Sequence, residues 1–300
     1  MKAADKPCVI GLGELLWDCF PDTRQAGGAP ANFAFHAGQL GAEGVVVSRV
    51  GKDELGDGLI DYLHEHGLNT DFVQRDADHP TGRVDVTFSS SGEPNYEFLA
   101  DSAWDFLKFD QSLKELAARA SAVCFGTLAQ RSETSRAAIH AFVDATSGDC
   151  LRVFDVNLRP PWYSDEVIRT SLEKATLVKL NEDEVHKLSR MFAIQDATTA
   201  AVAGHLLQNF PARFVVATRG ANGCQLYSPE ESVEVSGVKV ENPQPVGAGD
   251  SFTAATIWGL LQGWNLSTVA NFANHVAAVV ASHQGAMPDV QAELKELLPQ

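Results

Sequence analysis

The chain has 300 residues, 45% of them hydrophobic and 21% charged, which is the balance of an ordinary globular protein with enough length to bury a core. Its formal net charge of -16 at pH 7 repels phosphate backbones and anionic lipid surfaces, which argues against binding to nucleic acid or to a membrane. The five cysteines are widely spaced and form no C-x-x-C pair, so we interpret them as reduced thiols in a cytoplasmic protein.

From the N-terminus onward, short apolar runs alternate with helical stretches. The runs that predict buried strands are Cys8 to Gly11, Val45 to Val50, Ala122 to Phe125, Leu151 to Val156, Leu177 to Leu180 and Phe214 to Ala217. The stretches that predict helices include Glu54 to His66, Ser132 to Ala145, Glu182 to Phe192 and Ala197 to Phe210. This alternation predicts a single α/β domain over residues 1–300, with a doubly wound, mostly parallel sheet flanked by helices.

Two segments depart from this pattern. Residues 83–88 alternate polar and apolar side chains, residues 89–95 supply a turn, and Tyr96 and Phe98 resume the period of two, which predicts a half-exposed β-hairpin. A second half-exposed strand is predicted from Leu15 to Phe20. We interpret about residues 12–26 and 81–106 as a small β-sheet lid, with an ordinary edge hairpin as the alternative.

A first glycine cluster, Gly27-Gly28-Ala29-Pro30-Ala31-Asn32, opens the predicted helix Phe33 to Leu40. Small residues allow a ligand to approach the backbone closely, and the amide of Asn32 can bind a hydroxyl group. The alternative is a tight loop that leads into a helix, with Asn32 on the helix surface.

Three polar clusters follow the ends of predicted strands, which is where ligands bind in open α/β sheets. Each cluster alone is more typical of turns or helix caps, and the position that they share favours a binding role. The clusters are Asp155-Val156-Asn157-Leu158-Arg159, Asn181-Glu182-Asp183-Glu184 and Thr218-Arg219-Gly220 with Gly223 beyond.

The strongest local feature is Gly247-Ala248-Gly249-Asp250, directly before the apolar helix predicted from Ser251 to Leu261. Glycines permit tight turning, while a helix start offers unpaired N–H groups and the positive end of the helix dipole. We therefore expect an anion to bind there. From local chemistry alone, Asp250 is either a reactive carboxylate or the N-cap of the helix.

Several common nucleotide and metal motifs are absent from the sequence. There is no G-x-x-x-x-G-K-[ST] loop, and Gly11-Leu12-Gly13 lacks the third small residue of a dinucleotide fingerprint because Leu16 stands there. The histidines and cysteines show no zinc-binding spacing. A Rossmann oxidoreductase and a zinc enzyme are therefore disfavoured.

Taken in order, these motifs resemble the ribokinase-like carbohydrate kinases of the phosphofructokinase-B (PfkB) type, and among them they are most similar to fructokinases. Gly27 to Asn32 resembles the first signature of that family, and Gly247 to Phe252 resembles the second. The remaining matches cover nearly the whole chain and are Gly13-Glu14-Leu15 with Asp18, Gly51-Lys52-Asp53, Asp155-x-Asn157-x-Arg159, Asn181-x-x-Glu184, Thr218-x-Gly220 and a C-terminal helix from Asn274 to Gly285.

The resemblance implies a role for each group of residues. Asp250 would be the general base, and the amides of Gly247, Ala248 and Gly249 would form the anion hole for the phosphoryl group. Asn181 and Glu184 would organise Mg²⁺. The sugar would be held by Asp18, Gly28 and Asn32, with Asn157 and Arg159 lining the phosphate and substrate region. The residues that would border the nucleotide are Thr218, Gly220, Gly223 and Asn274.

One position departs from the family pattern. Gln244, Pro245 and Val246 precede the second signature where relatives carry an acid followed by hydroxyl or small residues. In the family that acid often helps to bind an activating monovalent cation. We therefore expect no dependence on potassium.

These observations predict an ATP-dependent sugar kinase that uses Mg²⁺ and transfers the γ-phosphoryl group to a small carbohydrate, with fructose favoured. The alternative acceptors are 2-keto-3-deoxygluconate, whose carboxylate Arg159 and Arg131 could bind, ribose and nucleosides. An alternative from another class is a catalytically silent sugar-binding regulator. The resemblance is also compatible with a homodimer formed through the lid.

Overall fold

The computed structural model describes residues 6–88 and 94–299. The strands of the main sheet are Cys8–Leu12 (β1), Glu43–Gly51 (β4), Val73–Asp76 (β5), Ala122–Phe125 (β8), Leu151–Asp155 (β9), Leu177–Asn181 (β10), Phe214–Thr218 (β11), Cys224–Tyr227 (β12) and Ser232–Val235 (β13). A smaller sheet contains Leu16–Cys19 (β2), Arg24–Gly27 (β3), Gly82–Phe88 (β6) and Pro94–Phe98 (β7). The helices are Ala29–Gln39 (α1), Glu54–Glu65 (α2), Gln111–Arg119 (α3), Glu133–Asp144 (α4), Asp165–Leu172 (α5), Glu182–Met191 (α6), Thr199–Asn209 (α7), Ala248–Leu261 (α8), Leu266–Ala281 (α9) and Gln291–Glu296 (α10).

The main sheet has the strand order β13-β12-β11-β10-β9-β8-β1-β4-β5. The strands from β11 to β5 pair in parallel, whereas β12 and β13 are antiparallel at one edge. Helices cover both faces, since Val123 and Phe125 of β8 pack in the core that includes α3 to α7, while Ala122 and Cys124 pack in the core that includes α1, α8 and α9. The predicted doubly wound α/β fold is therefore confirmed.

The smaller sheet has the order β3-β2-β6-β7 and stands apart from the main sheet. Val84 and Val86 are buried with Leu16 on one face, while Arg83 and Thr87 are exposed, so the predicted alternation along the hairpin is confirmed. Residues 89–93 of the predicted turn lie outside the described residues. We call this four-stranded sheet the lid.

Two chain segments, which we call the legs of the lid, connect β6 and β7 to the main domain. The first leg contains Thr81, the residue before β6. Gly51 donates its N–H to Thr81 Oγ1 at 2.9 Å, and Thr81 donates its own N–H and hydroxyl to the Asp53 carboxylate at 2.9 and 2.6 Å. Asp53 is also the N-cap of α2 and accepts the Gly56 N–H. The Gly51-Lys52-Asp53 motif therefore joins a core strand, a helix and the lid.

Three predicted helices have different boundaries in the structure. α1 begins at Ala29 rather than Phe33, α8 begins at Ala248 rather than Ser251, and α9 covers Leu266–Ala281 rather than Asn274 to Gly285. The first turn of a helix needs no intrahelical partner for its N–H groups, so it tolerates proline and glycine that would weaken a helix interior. Among the residues that the structure describes, no helix is long and apolar enough to cross a membrane.

Candidate active site

The N-terminus of α8 holds the second glycine cluster at the end of the main sheet. Gly247 is the N-cap and has a φ of 79°, a left-handed conformation that favours glycine. A Cβ at this position would overlap the backbone of Ala286, so no larger residue fits. The first N–H groups of a helix lack intrahelical acceptors, so that of Gly249 can bind an anion, whereas that of Ala248 makes a long contact of 3.3 Å with the Pro245 carbonyl.

Asp250 is the third residue of α8 and not its N-cap. The N-cap interpretation is wrong because Gly247 takes that place, and the Asp250 carboxylate instead accepts a hydrogen bond of 2.7 Å from Asn32 Nδ2. Asn32 lies inside α1 and is only 5% exposed, so the interpretation of Asn32 as a helix-surface residue is also wrong. The two glycine signatures therefore meet through this one hydrogen bond.

The loop before α1 brings the predicted sugar-binding residues toward the same place. Gly28 has a φ of 117°, and a Cβ there would overlap the carbonyl oxygen of Glu14. The Asp18 carboxylate on β2 lies against the backbone of Gly27. Asp18, Gly28 and Asn32 are thus grouped where the lid meets the first turn of α1.

A cleft opens at the carboxyl ends of β1, β8 and β9, below α1 and α8. Thr127, which follows β8, donates its hydroxyl to the carbonyls of Val156 and Asn157 at 3.0 and 3.3 Å. Asn157 has a φ of 38°, and the next residues lead to Arg159, whose side chain is exposed. The polar residues that line this cleft are Glu14, Thr127, Asp155, Asn157, Asp250 and Thr253.

A buried ion pair lies beneath the anion-binding loop. Lys179 on β10 donates to Asp155 Oδ1 on β9 at 3.1 Å, and both side chains are less than 10% exposed. A Cβ on Gly249 would lie 3.6 Å from Lys179 Nζ, which places the ammonium directly under the loop. Burial opposes the charge on Lys179, but the carboxylates of Asp155, Glu184 and Asp250 outweigh that cost and raise the pKa of Lys179.

Four carboxyl groups of the site have raised pKa values, and three of them, Asp250, Glu14 and Asp18, are shifted to near neutrality. Burial, with a smaller contribution from the Asp155 charge, raises the pKa of Asp250 to about 6, although the Asn32 hydrogen bond, Lys179 and Arg159 act in the opposite direction. Burial also raises the pKa of Glu14 to about 7 and that of Asp18 to about 6, with Arg159 lowering both. A carboxylate that titrates near neutrality accepts a proton more readily than one with an ordinary pKa.

Asn181 and Glu184 form a capping box at the start of α6. Asn181 Oδ1 accepts the Glu184 N–H at 2.9 Å, and Glu184 Oε2 accepts the Asn181 N–H at 2.8 Å. Glu184 Oε1 also accepts the N–H of Leu158 at 2.9 Å, so this carboxylate supports the loop after β9. Burial raises the pKa of Glu184, with Lys179 acting in the opposite direction.

The residues predicted to border the nucleotide lie at the end of β11, in the turn between β11 and β12, and on α9. Thr218 is the register partner of Asn181, and Gly220 and Gly223, with φ values of 52° and 92°, shape the turn into β12. A Cβ on Gly223 would overlap the backbone near Ser236, and Asn274 Nδ2 donates to the Ser236 carbonyl at 2.8 Å. Thr218 therefore lies next to Asn181, while Gly223 and Asn274 both contact the segment around Ser236.

The sequence interpretation assigned no role to Glu14 or Lys179. Glu14 is 5% exposed and its Oε2 has no hydrogen-bond partner among the described residues, although it lines the cleft with Asp250. The signal for Lys179 is present in the sequence, because a lysine in the middle of the apolar strand Leu177 to Leu180 requires a buried counter-charge. No local pattern identifies the partner.

The site also has an excess of acids. Among the described residues, its cationic side chains are those of Lys179 and Arg159, and its carboxyl groups outnumber them. The five acids are Glu14, Asp18, Asp155, Glu184 and Asp250. Within residues 6–88 and 94–299, no group of three histidine, cysteine or acidic side chains forms a ready metal site. This donor set suits Mg²⁺, which is usually held by one or two carboxylates together with waters and substrate phosphates.

Comparison with known proteins gives a consistent result. The family described as pfkB family carbohydrate kinase matches residues 12–293. Probable fructokinase-5 of Arabidopsis thaliana is 29% identical over 95% of this chain and 94% of its own, and a putative sugar kinase of Pyrococcus horikoshii is 30% identical over 93% and 91%. The crystal structure of the Pyrococcus protein in complex with ATP superposes with a TM-score of 0.81 at 26% identity, covering 97% of this chain and 99% of that one.

Proposed function

Since the chain belongs to the PfkB family of carbohydrate kinases and is an ATP-dependent sugar kinase, we propose that its acceptor is fructose and that Asp250 is its general base. The observation that carries the proposal is the position of Asp250, which lies in the first turn of α8, is oriented by Asn32 and has a pKa of about 6. The relatives named fructokinase support the choice of acceptor.

In the proposed reaction, Asp250 accepts the proton of the acceptor hydroxyl as that oxygen attacks the γ-phosphorus of ATP. The bond between the γ-phosphorus and the bridging oxygen of the β-phosphate breaks at the same time, and ADP leaves with that oxygen. The hydrogen bond from Asn32 Nδ2 leaves the other carboxylate oxygen of Asp250 free to take the proton. The N–H groups at Gly247, Ala248 and Gly249 would stabilise the negative charge that develops on the transferring group.

Mg²⁺ would enter with the phosphates of ATP and supply neutralising charge on them when bound. Asn181 and Glu184 would organise its waters rather than surround it, because both are already engaged with backbone N–H groups at the start of α6. Lys179 lies under the same loop and offsets part of the acidic charge around Asp250. The nucleotide would lie against Thr218, Gly220, Gly223 and Asn274.

A neutral sugar fits the acceptor region better than a keto acid. Of the two arginines that could bind a substrate carboxylate, Arg131 is 7% exposed and forms an ion pair of 2.6 Å with Asp105. Only the exposed Arg159 remains, and the acids around it disfavour binding of a substrate that carries a carboxylate. This argues against 2-keto-3-deoxygluconate, while ribose and nucleosides remain alternatives.

A panel of acceptors with ATP and Mg²⁺ tests the proposal. We expect phosphorylation of fructose with a kcat/KM at least about tenfold above that of ribose, nucleosides and 2-keto-3-deoxygluconate, a difference on the order of 1.4 kcal/mol in transition-state binding. Product identification would show which hydroxyl is modified. Preference for another acceptor would contradict the choice of fructose, and sugar binding without ATP consumption would instead support a silent regulator.

Closure of the lid over the acceptor would protect the phosphoryl group from water, which competes with the sugar hydroxyl. We expect hydrogen exchange in residues 83–88 and 97–101 to slow when a saturating acceptor is added. Exchange in β13 serves as the internal control, because β13 is at the edge of the main sheet opposite to β4, where Gly51 binds the lid through Thr81. Unchanged exchange in the lid at saturation would contradict its role as a cover.

A further inference from the structure

The second leg of the lid, residues 99–106, returns to the main domain beside Arg131. Leu99 follows β7 directly, and Asp105 lies in a short helical turn that Ser102 and Asp105 cap reciprocally. Arg131 belongs to neither the lid nor this leg. It follows the turn after β8 whose residues Thr127 and Leu128 line the active-site cleft.

Arg131 binds this leg through a fork of hydrogen bonds. Its Nε and Nη2 donate to the two oxygens of Asp105 at 2.8 and 2.6 Å, and Nη2 also donates to the carbonyl of Leu99 at 2.6 Å. The guanidinium carbon lies 4.0 Å from the ring centroid of Trp104, which is on the same leg. The end of the lid strand and the return turn are thus held by one side chain.

The same guanidinium also contacts the loop that follows β9. Its carbon lies 4.8 Å from the ring centroid of Trp162, and the Trp162 N–H donates to the Arg159 carbonyl at 2.7 Å. This loop carries Asn157 and Arg159, two of the residues that the proposed function places at the substrate. Arg131 therefore contacts both a tryptophan of the lid leg and a tryptophan of the substrate loop.

One N–H group of Arg131 is left without a partner in the part of the chain that the structure describes. Nη1 of Arg131 is buried and has no acceptor among the described residues, and an unsatisfied buried donor costs about 1–3 kcal/mol. Asp105 already satisfies the capping requirement of its own turn through the Ser102 N–H. The fork from Arg131 to Asp105 and Leu99 is therefore an additional link between this turn, the end of the lid strand and the two tryptophans.

We propose that Arg131 is a positioning residue that couples the lid to the substrate loop, so that the return leg and residues 157–163 take up their productive arrangement together. The inference rests on the proposed function only in treating residues 157–163 as part of the substrate site. A guanidinium is required, because it lies over both tryptophan rings while its N–H groups form the fork to Asp105 and Leu99. A lysine keeps the charge but cannot form the two-pronged fork.

The test uses Arg131→Lys, with Arg136→Lys as the matched control. Arg136 lies on the following helix α4, is partly exposed and makes only a 3.7 Å contact with Glu133. In the full-length, ligand-free protein, we expect Arg131→Lys to speed hydrogen exchange both in residues 97–106 and in residues 157–163, whereas Arg136→Lys changes neither. We also expect the acceptor KM to rise by about tenfold with the ATP KM nearly unchanged.

Trp162→Leu approaches the coupling from the other side and is informative even if Arg131→Lys folds poorly. We expect it to speed exchange in the lid leg, because Trp162 and the lid leg both contact Arg131, and we expect the double variant to lose less kcat/KM than the product of the two single losses. Faster exchange confined to the segment that carries each substitution, or fully multiplicative losses, would overturn the proposal. The ligand-free exchange result stands even if fructose proves not to be the acceptor, so the two failures can be told apart.

Discussion

Two groups of buried acids in this fold have pKa values that are shifted in opposite directions. Glu14 in the cleft is 5% exposed and Asp76 at the end of β5 is 1% exposed. Burial raises the pKa of Glu14 to about 7, because no hydrogen bond satisfies its Oε2. Burial acts on Asp76 in the same direction, but hydrogen bonds from Arg49, the Asp78 N–H and His79 outweigh it and lower the pKa of Asp76.

The direction of the pKa shift distinguishes acids that stabilise the fold from acids that can take part in proton transfer. At the base of the lid, Asp53 resembles Asp76, since Thr81 and Gly56 donate to it and its pKa is lowered despite the cost of burial. Asp250 in the cleft and Asp18 on β2 resemble Glu14 and have raised pKa values. Raised pKa values of acids in a cleft are typical of functional sites. The stability that such acids cost is offset elsewhere in the fold.

The largest effect is expected from Asp250→Asn. The amide keeps the shape of the side chain but cannot accept the proton, so we expect kcat to fall by about 10²–10⁴ while ATP and sugar binding are largely kept. Asp183→Asn, on the exposed first turn of α6, is the control and should leave kcat unchanged. In the wild type, kcat/KM should fall about tenfold per pH unit below about pH 6, because the base must be ionised. A variant that keeps more than about a tenth of the wild-type kcat would exclude Asp250 as the base.

The next effect is a loss of stability in Asp76→Asn. Removing the charge leaves Arg49, which is 11% exposed, without its counter-ion, and breaking a buried pair costs about 3–5 kcal/mol. Because the pKa of Asp76 is lowered, its contribution is present above its ordinary pKa of about 4 and is lost as the pH falls below that value. Urea unfolding at pH 7 measures this loss. A variant as stable as the wild type at pH 7 would remove the distinction between the two groups of acids.

Glu14→Gln should shift stability in the opposite direction. The pKa of Glu14 is raised from 4.5 to about 7, so the unfolded chain ionises first, and the resulting cost to folding grows as the pH rises from about 4.5 to about 7 and is constant above that. At 1.36 kcal/mol per pKa unit, we expect the variant to gain on the order of 3 kcal/mol at pH 8 and progressively less toward pH 5. Thermal unfolding across that range measures the gain, with the exposed Glu173→Gln as the control. A gain that is independent of pH would show that Glu14 is not a buried ionising group.

The smallest effect concerns potassium, which would add positive charge to the acid-rich cleft. Gln244 stands where the sequence resemblance predicts an acid, and its N–H donates to the Ala281 carbonyl at 2.7 Å. Loss of one carboxylate removes a Coulomb attraction of about 1–4 kcal/mol at 4 Å, so we expect potassium to change kcat/KM by less than about threefold. The measurement is a titration at constant ionic strength with an organic counter-ion. Stronger activation would show that other oxygen atoms of the loop still hold the cation.

Much of the fold could be predicted from local patterns. Apolar runs identified β1, β8 and β10 to within one residue, and the period of two along residues 83–87 identified a strand with one buried face. These patterns work because the alternation of side chains along a strand is a property of the strand itself. The starts of α1 and α8 were placed too late, since proline and glycine in a first turn look like loop residues when their helix is not yet known.

The candidate site divides in the same way. The glycine signatures and Asp250 could be identified from the sequence, because a glycine-rich turn before a helix creates an anion-binding geometry from a few adjacent residues. The grouping of the other residues depends on contacts between distant segments, such as the hydrogen bond between Asn32 and Asp250, which are 218 positions apart. Three further features also arise only when separate strands and loops meet. They are the pairing of Lys179 with Asp155, the unpartnered oxygen of Glu14 and the contacts of Arg131 with two tryptophans. Local patterning carries no information about which buried charge will find a partner, because that depends on packing across the whole sheet.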